Sequence, residues 1–438
     1  MGDPAAEAVV TRIVAIGVGS TVFGVEFLRD VFQQPELAGA GLWLVDLDAG
    51  RLEAMRRLAE RLNDASGLGM TVRATADRCE ALPGAGFVVT SVAVDRDRTW
   101  KLDHELALRH GFPSVLSENA GPGGLSHTLR SVPPMLEIAR DVERLAPDAL
   151  LLNYTNPENR VCLAIRRYTS VRAIGLCHGV ANTVPWVAGV LGRDPGEIEL
   201  RAAGVNHFAW TLSLRDARTG DDLEPAFRAR LRALPEEEWP LCRFLYDRFG
   251  VFPTTGDDHV GEFFPWAAEI IGTEGYDFEG FARRRGLGWT NVLAWGSGEK
   301  PIEPLLAKPS HEARVNLSAG RIIADVAARR DARAPSFIVP NDGCIEGLPR
   351  DVVVEVPGRI SGGRPGGDPV GPLPGPIETM VRREIEIQKL AVEAAVTGSR
   401  DLALEALLLD PVTHSARAAE AFLDDVLRLH APYLSAFG

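Results

Sequence analysis

Cys177 and His207 are the residues whose types point most sharply to chemistry. A thiolate and an imidazole together suit a transition metal such as Mn, Fe, Co, Ni or Zn. Neither a C-x-x-C nor an H-x-x-H spacing is present, and a cysteine after a strand also serves as a small apolar packing residue. His178 follows Cys177 directly, where an imidazole can act as a general acid or base, or be satisfied by a backbone carbonyl. The run Asn153-Tyr154-Thr155-Asn156-Pro157 sets asparagines at a strand end before a proline. Such amides hydrogen-bond a nicotinamide ribose, a substrate hydroxyl or their own turn. In Gly256-Asp257-Asp258-His259-Val260-Gly261-Glu262-Phe263-Phe264, two carboxylates and an imidazole lie among aromatic residues. A carboxylate there can be raised toward use as a base, or can cap a helix. Arg96, Arg98 and Lys101 follow a strand and suit either an anionic sugar group or a solvated basic patch.

These side chains need a scaffold, and the chain announces one early. A β-branched strand, Thr11-Arg12-Ile13-Val14-Ala15-Ile16, runs into Gly17-Val18-Gly19-Ser20-Thr21, and 22–32 then reads as a helix. Gly17 permits a tight turn, and Gly19 lets the backbone approach a pyrophosphate facing the helix N-terminus. A second apolar strand, Gly41-Leu42-Trp43-Leu44-Val45, ends in Asp46, placed for a ribose 2′-hydroxyl and so favouring NAD over NADP. Val22 stands where the third glycine of the usual fingerprint is expected.

Further strands are expected at 71–74, 86–91 (ending in Ser91), 149–153 and 171–176, with helices at 51–63, 125–145 and 160–168. The alternation predicts an α/β fold, a Rossmann-like doubly wound parallel sheet whose ligands sit beyond the carboxyl ends of the strands. From about Gly204 the pattern changes. A polar strand follows Trp210, a helix spans 224–234 and a strand 350–356, and 357–376 is so rich in Gly and Pro that a loop is predicted. Helices then run over 377–397, 401–409 and 415–429. The expected division is a dinucleotide-binding domain over 1–203 and an α+β catalytic and oligomerisation domain over 204–438, with the site in the cleft between them.

At 438 residues the chain is long enough for more than one core. Its 45% hydrophobic and 24% charged composition is that of a soluble globular protein. A net charge of −13 argues against a general nucleic-acid surface, and no apolar run approaches a membrane span. Five widely spread cysteines suit a reducing cytoplasm rather than a disulfide framework.

Six segments in order together resemble glycoside hydrolase family 4, the NAD- and metal-dependent glycosidases. They are Gly17-Val18-Gly19-Ser20-Thr21, Gly121-Pro122-Gly123-Gly124-Leu125, Leu150-Leu151-Leu152-Asn153-Tyr154-Thr155-Asn156-Pro157, Gly175-Leu176-Cys177-His178-Gly179-Val180, Gly204-Val205-Asn206-His207-Phe208-Ala209-Trp210 and Asp351-Val352-Val353-Val354-Glu355-Val356-Pro357. The resemblance implies a lactate/malate-dehydrogenase-like architecture. It also implies a cycle in which NAD⁺ takes the hydride from C3 of a sugar, a base removes the C2 proton, the leaving group departs, water adds, and C3 is reduced again. This family stands apart from two-carboxylate glycosidases. The implied metal, Mn first with Fe, Co or Ni as alternatives, is held by Cys177 and His207. Asn156 contacts sugar hydroxyls, with His259, Arg96 and Arg98 as further substrate residues, and His178 stands in the position of the acid. Phosphoglycosidase members use a tyrosine as base in the segment corresponding to 257–266. No tyrosine occurs there; members acting on unphosphorylated α-glucosides carry a Gly-Asp, which Gly256-Asp257 resembles, with Asp258 the neighbouring option. Cys-His-Gly points to an unphosphorylated α-glucoside, α-galactoside or α-glucuronide. A cytoplasmic homodimer or homotetramer is expected. Two other readings are a dehydrogenase of a small hydroxy acid or sugar, and a non-catalytic NAD-binding protein.

Overall fold

The computed structural model describes residues 11–21, 23–273, 276–309, 315 and 317–437. Six strands form its parallel half: β1 (Arg12–Ile16), β2 (Gly41–Val45), β3 (Thr71–Thr75), β4 (Phe87–Thr90), β5 (Leu150–Asn153) and β6 (Arg172–Gly175). They lie in the order β3-β2-β1-β4-β5-β6, all parallel, which is the doubly wound dinucleotide-binding order. Their nearly continuous apolar runs follow from burial on both faces. Ile13, Ala15, Leu42, Leu44, Val89 and Leu152 point into one core. Val14, Ile16, Trp43, Val45, Val88 and Leu151, alternating with them, point into the other. The expected helices are present as Phe23–Phe32, Ala49–Ser66, Gly121–Leu145 and Glu158–Tyr168. Val22, where the first was expected to begin, lies outside the described residues.

The residues after Gly204 extend the same sheet. β7 (Ile198–Val205) and β8 (Phe208–Asp216) form a hairpin, and β9 (Ala332–Pro340) and β11 (Val353–Ser361) join it to β6, giving β6-β9-β11-β7-β8 with antiparallel pairing. β12 (Arg364–Gly367) pairs with β11 off this path, and β10 (Ile345–Glu346) pairs with β13 (Gly371–Pro372) in a separate two-stranded sheet. The loop expected over 357–376 is therefore corrected. β11 passes through Pro357, where its register with β9 shifts between Val356 and Gly358, and then turns back as β12. Prolines are tolerated at such a bulge and on an edge strand because neither position demands a ladder N–H. The last helices, Gly375–Thr397, Arg400–Leu409 and Ala416–Leu429, are found as expected. Among the described residues no helix is long and apolar enough to cross a membrane.

Candidate active site

The carboxyl ends of β1, β2 and β4 meet at the glycine-rich turn. Gly17 has φ of 83°, and a Cβ there would lie 2.3 Å from the Ser91 carbonyl oxygen, so only glycine lets the turn approach the end of β4. The Gly19 amide donates to Asp46 Oδ2 at 2.7 Å, which fixes the carboxylate beside the turn. Ser20 Oγ accepts from the Phe23 amide at 3.1 Å and so opens the following helix. Thr21 Oγ1 is buried with no partner among the described residues. Gly17, Gly19, Ser20, Thr21, Asp46 and Ser91 are thus gathered at one end of the sheet.

Asn153 is not available to a cofactor. Its Oδ1 accepts from Thr90 Oγ1 (3.0 Å) and the Thr155 amide (3.1 Å), its Nδ2 donates to the Thr155 carbonyl (3.0 Å), and the residue is fully buried. The amide builds the turn after β5, and that turn delivers Asn156.

A cavity of about 680 Å³ opens beside Ser91, and its walls include Arg96, Asn156, Cys177, His178, His207 and His259. Cys177 caps the helix His178–Leu191, its Sγ accepting from the Gly179 amide at 3.4 Å. His178 begins that helix and packs against Tyr154, with ring centroids 6.0 Å apart. His207 lies in the tight turn joining β7 to β8 with φ of 63°. Its neighbour Asn206 holds the turn by donating Nδ2 to Glu355 Oε2 at 3.1 Å, while Ser336 Oγ donates to the other oxygen at 2.8 Å. Glu355, on β11, is what the motif around Asp351–Pro357 contributes.

Glu118 is the residue that the sequence reading missed. It sits on irregular chain between the helices Arg96–Arg109 and Gly121–Leu145. The latter helix opens with glycines because the chain crosses it closely. A Cβ on Gly123 would lie 2.3 Å from Ser117 Cβ, and one on Gly124 2.6 Å from the Asn119 carbonyl carbon. Glu262 Oε2 accepts the amides of Glu118 (2.6 Å), Asn119 (2.8 Å) and Ala120 (3.2 Å). Asn119 then reaches His207 Nδ1 at 2.9 Å. The only signal in the sequence was a carboxylate just ahead of the Gly121-Pro122-Gly123-Gly124 run.

Glu118, His207 and His259 form one group, each offering a ligand atom, all within 4.8 Å of one another. Cys177 lines the same cavity but stands outside that group. Burial works against charge on Glu118, yet Arg96, His207 and His259 hold its carboxyl down at about 2. Burial, reinforced by His259, brings His207 down to about 3, so its ring is neutral at neutral pH. On His259 burial is outweighed by Asp258, whose Oδ1 lies 2.6 Å from Nδ1, and the ring is pushed up to about 9. Burial, with the Glu118 charge behind it, pushes Glu262 up to about 8. Burial raises the Cys177 thiol well above its ordinary range.

The remaining expected residues divide. Asn156 faces the cavity, and its Nδ2 donates to Glu118 Oε1 at 3.3 Å. Arg96 lines it too, but its guanidinium pairs with Glu118 and lies over the Trp100 ring at 4.3 Å. Arg98 instead meets Asp95 and the Tyr433 hydroxyl, each at 2.7 Å, on exposed surface. Asp257 accepts the amides of Leu241 (3.1 Å) and Cys242 (2.8 Å), so its carboxylate caps the helix Pro240–Phe249. Asp258 is engaged with His259. Tyrosines reach the cavity from elsewhere, as Tyr154 and Tyr276.

The model of the family 4 glycosyl hydrolases matches residues 12–192, and that of their C-terminal domain matches 202–413. The chain belongs to glycoside hydrolase family 4. It is a glycoside hydrolase of the NAD-dependent, redox-assisted type, which sets aside the hydroxy-acid dehydrogenase and the non-catalytic readings. The chain is 32% identical to an α-glucosidase of Erwinia rhapontici over 97% of its own length and 99% of the relative's. It is 29% identical to an α-galactosidase of Bacillus subtilis (strain 168) over 97% and 99%. A crystal structure of a 6-phospho-α-glucosidase from gut microorganisms, in complex with NAD and Mn²⁺, superposes with a TM-score of 0.83 at 22% identity, covering 97% of this chain and 98% of that one. A malate dehydrogenase from Picrophilus torridus shares the fold at a TM-score of 0.54 and 13% identity, covering 88% and 97%. The dehydrogenase-like architecture is thus found, and the relatives divide between free and phosphorylated sugars.

Proposed function

We propose that this glycosidase acts on an unphosphorylated, uncharged α-glycoside, an α-glucoside or α-galactoside, with NAD and a divalent metal, Mn first. The observation that carries the substrate class is the pairing of Arg96 with Glu118 inside the cavity. A 6-phosphate dianion calls for free guanidinium or ammonium groups. Among the described residues Arg96 is the one arginine on this wall and is already matched to a carboxylate, and Arg98, the other expected clamp, faces Asp95 and Tyr433 outside it. The same argument disfavours a uronide.

The residues fit both groups. Dinucleotide binding is supported by the strand order, by Asp46 held beside Gly19 and by the partnerless hydroxyl of Thr21. A metal is supported by the anionic Glu118 beside the neutral His207, with Cys177 on the same wall. When bound, the two groups supply a hydride acceptor and a Lewis acid. Asn119 orients the His207 ring. Asn156, braced on Glu118, presents its amide to sugar hydroxyls. His178 stands as the acid toward the leaving oxygen, and the Asp258–His259 pair as the site that exchanges the C2 proton. Asp257 has no part in this assignment, because its carboxylate is committed to a helix end. Residues 1–203 carry the dinucleotide, and 204–438 complete the substrate site and the assembly, a homodimer or homotetramer.

The test is a panel of free α-glucosides, α-galactosides and α-glucuronides and their available 6-phosphates, with NAD⁺, Mn²⁺ and a thiol reductant. Turnover of free neutral glycosides without accumulation of NADH is expected. A preference for the phosphorylated or uronic members would overturn the substrate class.

A further inference from the structure

Trp239 also lines the cavity. Its indole lies 3.9 Å from that of Trp186, centroid to centroid, with planes 10° apart. Phe252 continues the parallel arrangement, 5.6 Å from Trp186 at 11° and 5.9 Å from Trp239 at 16°. One face of Trp239 is therefore backed by a second flat ring.

The backbone fixes the ring as firmly. Trp239 is in the left-handed region (φ of 51°), immediately before the helix Pro240–Phe249. Asp257 holds the first amides of that helix, so the segment bearing Asp258 and His259 and the segment bearing Trp239 are tied together. Gly256 lies where they meet. A Cβ built on it would be 3.6 Å from Asp258 Oδ1 and 3.9 Å from Trp239 Cζ2 and Cη2. The indole and His259 thus line one cavity from segments that meet at Gly256. Phe23 and Ser91, on the dinucleotide side, line the same cavity.

A rigid, half-buried indole beside a polar centre is suited to a ring that carries hydroxyls on its edge and C–H groups on its face. The electron-rich π face attracts those C–H groups, and the stacked neighbours spare the entropy of ordering the side chain. We infer that Trp239 is the wall of the leaving-group subsite and selects glycosides whose leaving group is itself a six-membered ring, a second sugar or an aryl group. This rests on the glycosidase reading above and names the part of the substrate that the reading leaves open.

The experiment compares kcat/KM for 4-nitrophenyl and methyl α-D-glucopyranoside, and for the matching α-D-galactopyranosides, with NAD⁺, Mn²⁺ and reductant. In Trp239→Ala the aryl-to-methyl ratio should fall at least tenfold. Trp239→Leu keeps apolar volume without a flat face and serves where the alanine variant does not fold; it should show the same direction of change. Trp239→Phe should restore most of the ratio. Equal losses on both leaving groups, or an unchanged ratio in Trp239→Leu, would overturn the subsite while leaving the glycosidase intact. Failure of the parent chain to turn over any of the four substrates would instead take down the substrate class proposed above and the subsite together.

Discussion

Asp258 and His259 meet at 2.6 Å, whereas Asp257, one residue earlier, turns toward the helix Pro240–Phe249. Substitutions should separate the two carboxylates cleanly. Asp258→Asn removes the partner that keeps His259 charged, so the limb of the kcat/KM profile belonging to this imidazole should move from about 9 toward 6.5. The folded pKa is raised above the ordinary 6.5. The stability that the pair contributes is therefore fully present below 6.5 and is lost as pH rises through about 9. Denaturation of the parent chain across that window should show this loss, and Asp258→Asn should flatten it. Asp257→Asn should leave the pH profile in place and cost about 1 kcal/mol of stability, the usual value of an N-terminal cap. A pH limb that moved with Asp257 instead would reverse the assignment.

At the scale of elements, the site depends on irregular chain held from a distance. One oxygen of Glu262 collects three consecutive amides and so sets where Glu118 and Asn119 stand. Glu262→Ala leaves those buried donors without an acceptor and should destabilise the fold by about 2–4 kcal/mol in urea titrations, with Glu262→Gln losing less. This arrangement also explains what could be read from the sequence. β1, β2, β4 and β5 were legible because strands buried on both faces must be continuous apolar runs, and the turn after β1 because its glycines have a steric cause. Cys177 and His207 were found through residue type and motif, and both line the cavity. Glu118 was not, since its position is set by Glu262, remote in sequence and carrying no local signature. In sequence Asp257 and Asn153 point toward chemistry because a carboxylate or amide beside a turn looks the same whether it faces a ligand or the backbone. Only the partners in space decide. The sequence of 357–376 suggests a loop because Pro and Gly break regular structure in general, but not at a bulge or on an edge strand.

Over the whole molecule, a single sheet carries both halves of the chemistry. Its parallel strands end at the glycine turn, Ser91, Asn156 and Cys177, and its antiparallel extension brings His207 and, through Glu355, fixes it. The negative overall charge agrees with a small uncharged substrate rather than a polyanion. Under the proposed function, this cavity breaks a glycosidic bond by oxidising the sugar, exchanging the C2 proton and reducing it again, with Asp258 and His259 serving that proton. Turnover in D₂O, followed by NMR of the product sugar, tests it most directly. Deuterium is expected at C2 of the product, with activity that requires NAD⁺ and no net NADH. Product without deuterium at C2, formed at full rate by enzyme freed of NAD⁺, would contradict it.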